Sequence, residues 1–274
     1  MIAFPNCKIN IGLRVTENRS DGFHNIESVL FPIPWSDALE IIPAENTTGE
    51  LEFKTSGIRV FGAKDSNLCS KAYQLLAADF QLPAVKMHLH KIIPIGAGLG
   101  GGSSDSAHTL ILLNKIFQLH LSDEKLESYA AKLGSDCPFF IRNRPVFTFG
   151  KGDEFENITL KLKDYFLVLI KPRMHINTAE AYSWINPQKQ ETSLKELIKL
   201  PVKQWKEAIE NDFEKPVFER HPSIRNIKSR LYKLGAIYAS MSGSGSTVYG
   251  IFEEEKHLDT YFRSSTVHSC RLGS

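Results

Sequence analysis

Between residues 94 and 104 the chain reads Pro94-Ile95-Gly96-Ala97-Gly98-Leu99-Gly100-Gly101-Gly102-Ser103-Ser104, with five glycines in seven positions ahead of two hydroxyls. Glycine has no Cβ, so its backbone reaches φ > 0 and leaves its N–H unshielded. Bared amides running into the N-terminus of a helix make a cradle for a polyanion, most naturally the phosphates of ATP. Ser103 and Ser104 add hydroxyls within reach of such phosphates. A Walker A loop would end in Gly-Lys-Ser/Thr, and no lysine stands here. The literal G-x-G-x-x-G at Gly96, Gly98 and Gly101 lacks the setting of a dinucleotide fingerprint. That setting requires a buried parallel strand before the loop and an acidic residue after a second strand.

The strand that must deliver this loop is Ala84–His90. Val85, Met87 and Leu89 alternate with Lys86, His88 and His90, so one face is wet and the sheet is antiparallel or mixed. His88 and His90 read as ordinary surface residues. A helix is expected before the strand over 67–79, with Leu68, Ala72, Leu75 and Leu76 on one face, and another after the loop from roughly Ser104 to Leu119. A third, about 123–133, has Ser122 as N-cap, acidic Asp123 and Glu124 in its first turn, and Gly134 as its stop. Residues 1–60 read as β-rich, with strands at Ala38–Pro43 and 49–54 broken by Asn46-Thr47-Thr48-Gly49. Phe147–Phe149 is a further strand. A second unit begins near 155: a buried strand at Tyr165–Ile170, helices around 178–185, 192–199, 203–211 and 223–234, then strand, glycine turn and strand over 237–252. Without regular β-α-β alternation the fold class is α+β, in two domains, 1–154 and 155–274.

The rest of the composition mostly excludes. The 274 residues are 42% hydrophobic and carry 33 basic against 31 acidic groups, a net of +2, which gives no electrostatic footprint for nucleic acid. The longest dense apolar run is too short to span a bilayer. Cys7, Cys69, Cys137 and Cys270 form neither a C-x-x-C pair nor a zinc-ligand spacing. With no basic n-region and apolar h-region at the start, a cytoplasmic protein with free thiols is expected.

The loop resembles the P-x-x-x-G-L-G-S-S motif of the GHMP kinases, with an extra glycine. Asn6-Cys7-Lys8-Ile9-Asn10 resembles their N-terminal A-K-x-N segment, and Ser240-Met241-Ser242-Gly243-Ser244-Gly245-Ser246 their C-terminal glycine motif. Arg19-Ser20-Asp21-Gly22-Phe23-His24 and Leu133-Gly134-Ser135-Asp136-Cys137-Pro138-Phe139-Phe140 resemble segments of the branch whose acceptor is a CDP-linked polyol. The departures are Asn6-Cys7 where proline-alanine is usual, Phe23 for tyrosine, and Ser106 for alanine.

The resemblance implies a ribosomal-protein-S5-domain-2-like N-terminal domain, a ferredoxin-like C-terminal domain, and phosphoryl transfer from ATP with Mg2+, whose ligands the sequence leaves open. It implies Asp136 as general base and Lys8 as its cationic partner. Read locally, Asp136 could equally cap the helix that Pro138 helps to start. Residues 94–104 with Asn67 and Lys91 are implied to bind ATP. Asn10, on the same strand face as Lys8, is implied to bind the acceptor with Asp21, Phe23, His24, Tyr182, Gly243, Ser244 and Gly245. The cytosine would stack on an aromatic ring, although Tyr182 also reads as helix core. Homoserine- or mevalonate-type kinases, and a non-catalytic sensor of the same fold, are the alternatives. The 19–24 segment argues against the first, and the retention of Lys8 and Asp136 against the second.

Overall fold

A computed structural model describes residues 1–48, 51–60 and 62–273. In chain order the elements are β1 (Ile2–Ala3), β2 (Asn6–Asn18), β3 (His24–Ser36), β4 (Ala38–Thr48), β5 (Leu51–Gly57), α1 (Leu68–Phe80), β6 (Pro83–Lys91), α2 (Gly101–Ile116), α3 (Asp123–Ala131), α4 (Phe139–Arg142), β7 (Val146–Phe149), β8 (Glu154–Asn157) and β9 (Phe166–Pro172). They continue with α5 (Thr178–Ser183), α6 (Leu194–Leu197), α7 (Trp205–Ala208), α8 (Glu214–Arg220), α9 (Pro222–Lys233), β10 (Tyr238–Met241), β11 (Val248–Phe252) and β12 (Ser265–Arg271). The chain forms two compact units. One comprises Met1–Cys7, Trp35–Ile95 and Gly100–Arg144; the other comprises Lys8–Pro34, Gly96–Leu99 and Pro145–Ser274.

The first unit is a mixed sheet in the order β1-β4-β6-β5 with helices on one face. β6 runs antiparallel to β4 (Ile41 opposite Met87) and parallel to β5 (Phe53 opposite Met87). Its alternation sends Val85, Met87 and Leu89 into a core shared with Leu76 of α1, Leu110 and Leu113 of α2, and Tyr129 of α3. Each such side chain fully buried contributes about 1.5–3 kcal/mol. On the wet face Ser56 Oγ lies 2.9 Å from both His88 Nε2 and His90 Nδ1, so the two histidines have a local surface partner as expected. Ser122 caps α3, its Oγ accepting from the Lys125 N–H. β4 runs through Asn46–Thr48 where a break was expected, and Gly49 lies outside the described residues.

The second unit holds a sheet in the order β2-β3-β7-β8 and an antiparallel sheet in the order β10-β11-β9-β12. Leu167–Ile170 of β9 is buried throughout, and α9, entered through Pro222, packs Ile224, Ile227 and Leu231 into the same core. The expected helices at 192–199 and 203–211 shrink to α6 and α7. Pro201 breaks the run between them, and Ile209 is extended. The helix that Pro138 was expected to start is the single turn α4, and the short helix α8 was not anticipated. The four cysteines are free thiols, and no helix among the described residues is long and apolar enough to cross a membrane.

Candidate active site

In the second unit, β2 carries Lys8 and Asn10 side by side and buried. Lys8 Nζ donates to Asn10 Oδ1 at 2.6 Å. Asn10 Nδ2 donates to Ser28 Oγ at 2.8 Å, and Ser28 Oγ donates to the Gly12 carbonyl at 2.7 Å. The Asn10 amide is thus used at both ends and aims the lysine. The backbone N–H of Asn10 donates to Ser242 Oγ at 3.2 Å, and Ser242 Oγ donates to the Gly98 carbonyl at 2.8 Å. The Lys8 N–H reaches Leu99 O at 2.9 Å and the Thr247 N–H reaches Ala97 O at 3.3 Å. One hydroxyl therefore couples β2, the 96–99 stretch of the phosphate loop and the 242–247 turn. Gly98, at φ +76°, makes this possible, since a Cβ there would lie 2.1 Å from Ser242 O.

The glycine turn is held from below by residues the sequence did not flag. Asn211 Nδ2 donates to Met241 O at 2.7 Å and Gly243 O at 2.9 Å. Glu214 Oε1 accepts from Ser240 Oγ at 3.1 Å and the Met241 N–H at 2.8 Å. Ser244 Oγ is 2.9 Å from Thr178 Oγ1. Neither Asn211 nor Glu214 belongs to a motif; only their buried polar character, invisible before folding, marks them.

In the same unit, His24 stacks on Tyr182 with centroids 4.8 Å apart and planes at 21°. Tyr182 meets Phe213 edge-on at 4.9 Å. Tyr182 packs against the core of this unit, as its helix-core reading expects, and one face of its ring lies against the His24 imidazole. Phe23 is 60% exposed, with the Lys151 ammonium 5.4 Å from its ring centre. Asp21 accepts from the Arg19 guanidinium at 3.1 Å and the Phe23 N–H at 3.2 Å. The Arg19 hydrogen bond holds its carboxyl below the usual range. Asp21 shapes the turn that presents Phe23 and His24.

In the first unit, Asn67 caps α1, its Oδ1 accepting from the Cys69 N–H at 2.9 Å. It lines a cavity of about 550 Å3 whose walls include Phe53, Val60, Lys64 and His88. Gly100, at φ +67°, turns the chain into α2, which starts at Gly101 and not near Ser104. Ser103 is half-buried. Ser104 is fully buried, its hydroxyl 3.4 Å from His108 Nδ1, which corrects the expectation that it faces a ligand. Ser106, in the position usual for alanine, donates to Ser103 O at 2.9 Å.

Lys91 is a second correction. Its ammonium is buried and bonded to Asp37 Oδ2 and, at 2.7 Å, to Asp105 Oδ2. Burial works against its charge, but the two carboxylates outweigh it and raise its pKa. Lys91 is thereby occupied within the fold, at the base of the loop. Asp37 Oδ1 accepts from the N–H groups of Ile92 and Ile93 at 2.5 and 2.8 Å. Burial pushes the Asp105 carboxyl up to about 7, with Lys91 opposing and Asp37 adding to the shift.

Asp136 sits in the turn before α4. The helix opens directly after Pro138. Burial raises the neighbouring Cys137 thiol, which rules it out as a nucleophile near neutrality. Among the described residues no group of three or more His, Cys, Asp or Glu side chains is placed to hold a metal.

The GHMP kinases N terminal domain family matches residues 67–144, and the GHMP kinases C terminal family matches residues 193–262. The 4-diphosphocytidyl-2-C-methyl-D-erythritol kinase of Bacteroides fragilis is 53% identical over 258 residues, 94% of each chain. That of Cytophaga hutchinsonii is 47% identical over 271 residues, 98% of each. A crystal structure of 4-(cytidine 5'-diphospho)-2C-methyl-D-erythritol kinase superposes with a TM-score of 0.82 at 28% identity, covering 98% of both chains. Mevalonate kinase of Methanococcus jannaschii, at 16% identity and a TM-score of 0.73 over 100% of this chain and 98% of its own, shares the fold alone. The chain belongs to the GHMP kinases and, within them, to the 4-diphosphocytidyl-2-C-methyl-D-erythritol kinases.

Proposed function

We propose that the protein transfers the γ-phosphoryl group of ATP to a hydroxyl of 4-diphosphocytidyl-2-C-methyl-D-erythritol, an isoprenoid-precursor step in the cytoplasm. The observation that carries this reading is the 53% identity over 94% of the chain to kinases of that name. The α2 N-terminus and the glycine loop form the phosphate cradle, and the cavity beside Asn67 takes the base of the nucleotide. The families matched over 67–144 and 193–262 support an N-terminal and a C-terminal region, while the compact units cut across a boundary at 154, since Lys8–Pro34 and Gly96–Leu99 cluster with Pro145–Ser274.

Asp136 accepts the acceptor's hydroxyl proton as its oxygen attacks the γ-phosphorus and the bond to ADP breaks, a role worth about 10²–10⁴ in rate. Lys8, aimed by Asn10, keeps that carboxylate ionised and balances charge on the transferred group. His24 and Tyr182 offer cytosine an aromatic face, worth about 1–3 kcal/mol. Asp21 and Phe23 build the turn beside it, and Gly243, Ser244 and Gly245 close on the acceptor. Mg2+ would enter with the nucleotide and would balance charge on its phosphates.

The test is ATP consumption by the purified protein with Mg2+, offering the CDP-linked polyol, homoserine and mevalonate in parallel. Turnover with the CDP compound alone, falling at least about 100-fold in Asp136→Ala, is expected. Turnover with another alcohol would remove the substrate assignment, and unchanged turnover in the variant would remove the role of Asp136.

A further inference from the structure

Beneath the first turn of α2 lies a buried cluster of three charged groups for which the reaction has no direct use. Lys91 comes from the end of β6, Asp37 from the junction of β3 and β4, and Asp105 from α2 itself; all three are at least 97% buried. Their acceptor sites are filled unequally. Asp37 receives the Lys91 ammonium on one oxygen and two backbone N–H groups on the other. Asp105 receives Lys91 on Oδ2, while its buried Oδ1 has no hydrogen-bond partner. A buried carboxylate oxygen left bare is costly, and a proton on it removes the cost.

Charge counting gives the same answer. With all three groups ionised the cluster carries −1; with one proton it is neutral. A proton belongs on Asp105, because Asp37 holds the better set of donors. The other titratable neighbour is the Cys69 thiol from α1, which burial keeps neutral. His108, one turn further along α2, is bonded to Ser104 O and pushed by burial towards its neutral form. The cluster also touches the helix start: a Cβ on Gly101 would lie 3.0 Å from Lys91 Nζ. Asp105 is four residues beyond Gly101, about 6 Å along the helix axis. A polyphosphate on that helix terminus would therefore feel any uncompensated negative charge below it.

We propose that Asp105 is a positioning residue for the nucleotide's phosphates and acts by holding a proton: a polyphosphate bound at the start of α2 draws a proton from solvent onto Asp105 Oδ1, making the cluster neutral. This rests on the kinase reading, which puts the nucleotide's phosphates at that terminus. The sign follows from linkage. The bound state holds more protons than the free state, so nucleotide affinity falls as pH rises through and above neutrality. Asp105→Asn mimics the neutral acid and abolishes the dependence.

The experiment is calorimetric titration of wild type and Asp105→Asn with ADP and Mg2+, at pH 7.5 in two buffers of different ionisation enthalpy, and again between pH 6.5 and 8.5. Wild type should take up about half a proton more per ADP than the variant. Relative to the variant, its affinity should fall roughly five- to tenfold across the range. The KM for the CDP-linked acceptor should not move. Equal proton uptake in both proteins, with ADP bound by both, would overturn the proposal and leave the kinase reading standing. Failure of wild type to bind ADP would overturn both. If the variant does not fold, wild type labelled with ¹³C at aspartate carboxyls decides. One carboxyl whose titration midpoint rises on adding ADP supports the proposal. None titrating between about pH 6 and 9 in either state refutes it.

Discussion

Two stretches of this chain are rich in glycine and serine, and they use those residues in opposite ways. Along the phosphate loop, Gly96 and Gly102 are exposed and Gly98 and Gly100 half-buried. The loop ends on a helix start whose first N–H groups have no partner within the helix. The Ser240–Thr247 stretch is buried from end to end. Its four serine hydroxyls are committed to Gly98 O, Met174 O, Thr178 and Glu214, and two of its carbonyls to Asn211. The first stretch offers donors to a ligand; the second spends its own on holding the first in place. Composition alone does not separate a cradle from a clamp. What separates them is whether the polar atoms are already answered within the protein.

The comparison can be broken most decisively at Gly98, where the two stretches touch. Gly98→Ala would put a Cβ 2.1 Å from the Ser242 carbonyl on a left-handed backbone. A loss of more than about 3 kcal/mol is expected, seen as a Tm lowered by several degrees or as failure to recover folded protein. A Tm within a degree of wild type would mean that the contact is not rigid. Ser242→Ala removes one hydroxyl that donates to Gly98 O and accepts from Asn10. The expected cost is about 1–3 kcal/mol, with a rise in KM for ATP larger than any change for the acceptor; equal changes in both would mean the clamp does not act through the loop. The smallest structural effect belongs to Gly102→Ala, where the nearest atom to an added Cβ is Leu68 Cδ1 at 3.9 Å and φ is not positive. Stability should hold or rise by about 0.4–1 kcal/mol while KM for ATP increases. An unchanged KM would take Gly102 out of the cradle.

The parts of this molecule that could be read from sequence are those fixed by local chemistry. The alternation of β6 announced a mixed sheet, five glycines announced a left-handed turn into a helix, and Ser122 announced the start of α3, because each depends on neighbours within a few residues. Lys91 was misread for the opposite reason. Its fate depends on Asp37, 54 residues earlier in the chain, and on Asp105, 14 later, and no local pattern records such a meeting. Ser104 belongs to a motif whose hydroxyls look alike on paper, yet α2 begins three residues earlier than expected and turns this one inward. Asn211 and Glu214 stand in an ordinary polar run, and α8, which Glu214 opens, is a helix of two turns with a proline inside it.

Gly101 does more than begin a helix. With its missing Cβ 3.0 Å from the Lys91 ammonium, positions 91 and 101 have given up their independence. A methyl group at 101 would crowd the Lys91 ammonium and the Ile93 side chain, each 3.0 Å from it, and a residue 91 that shortened to make room would leave two buried aspartates to repel each other. Substitution at 101 is therefore coupled to residue 91 and, through its ammonium, to the two aspartates that residue 91 keeps apart.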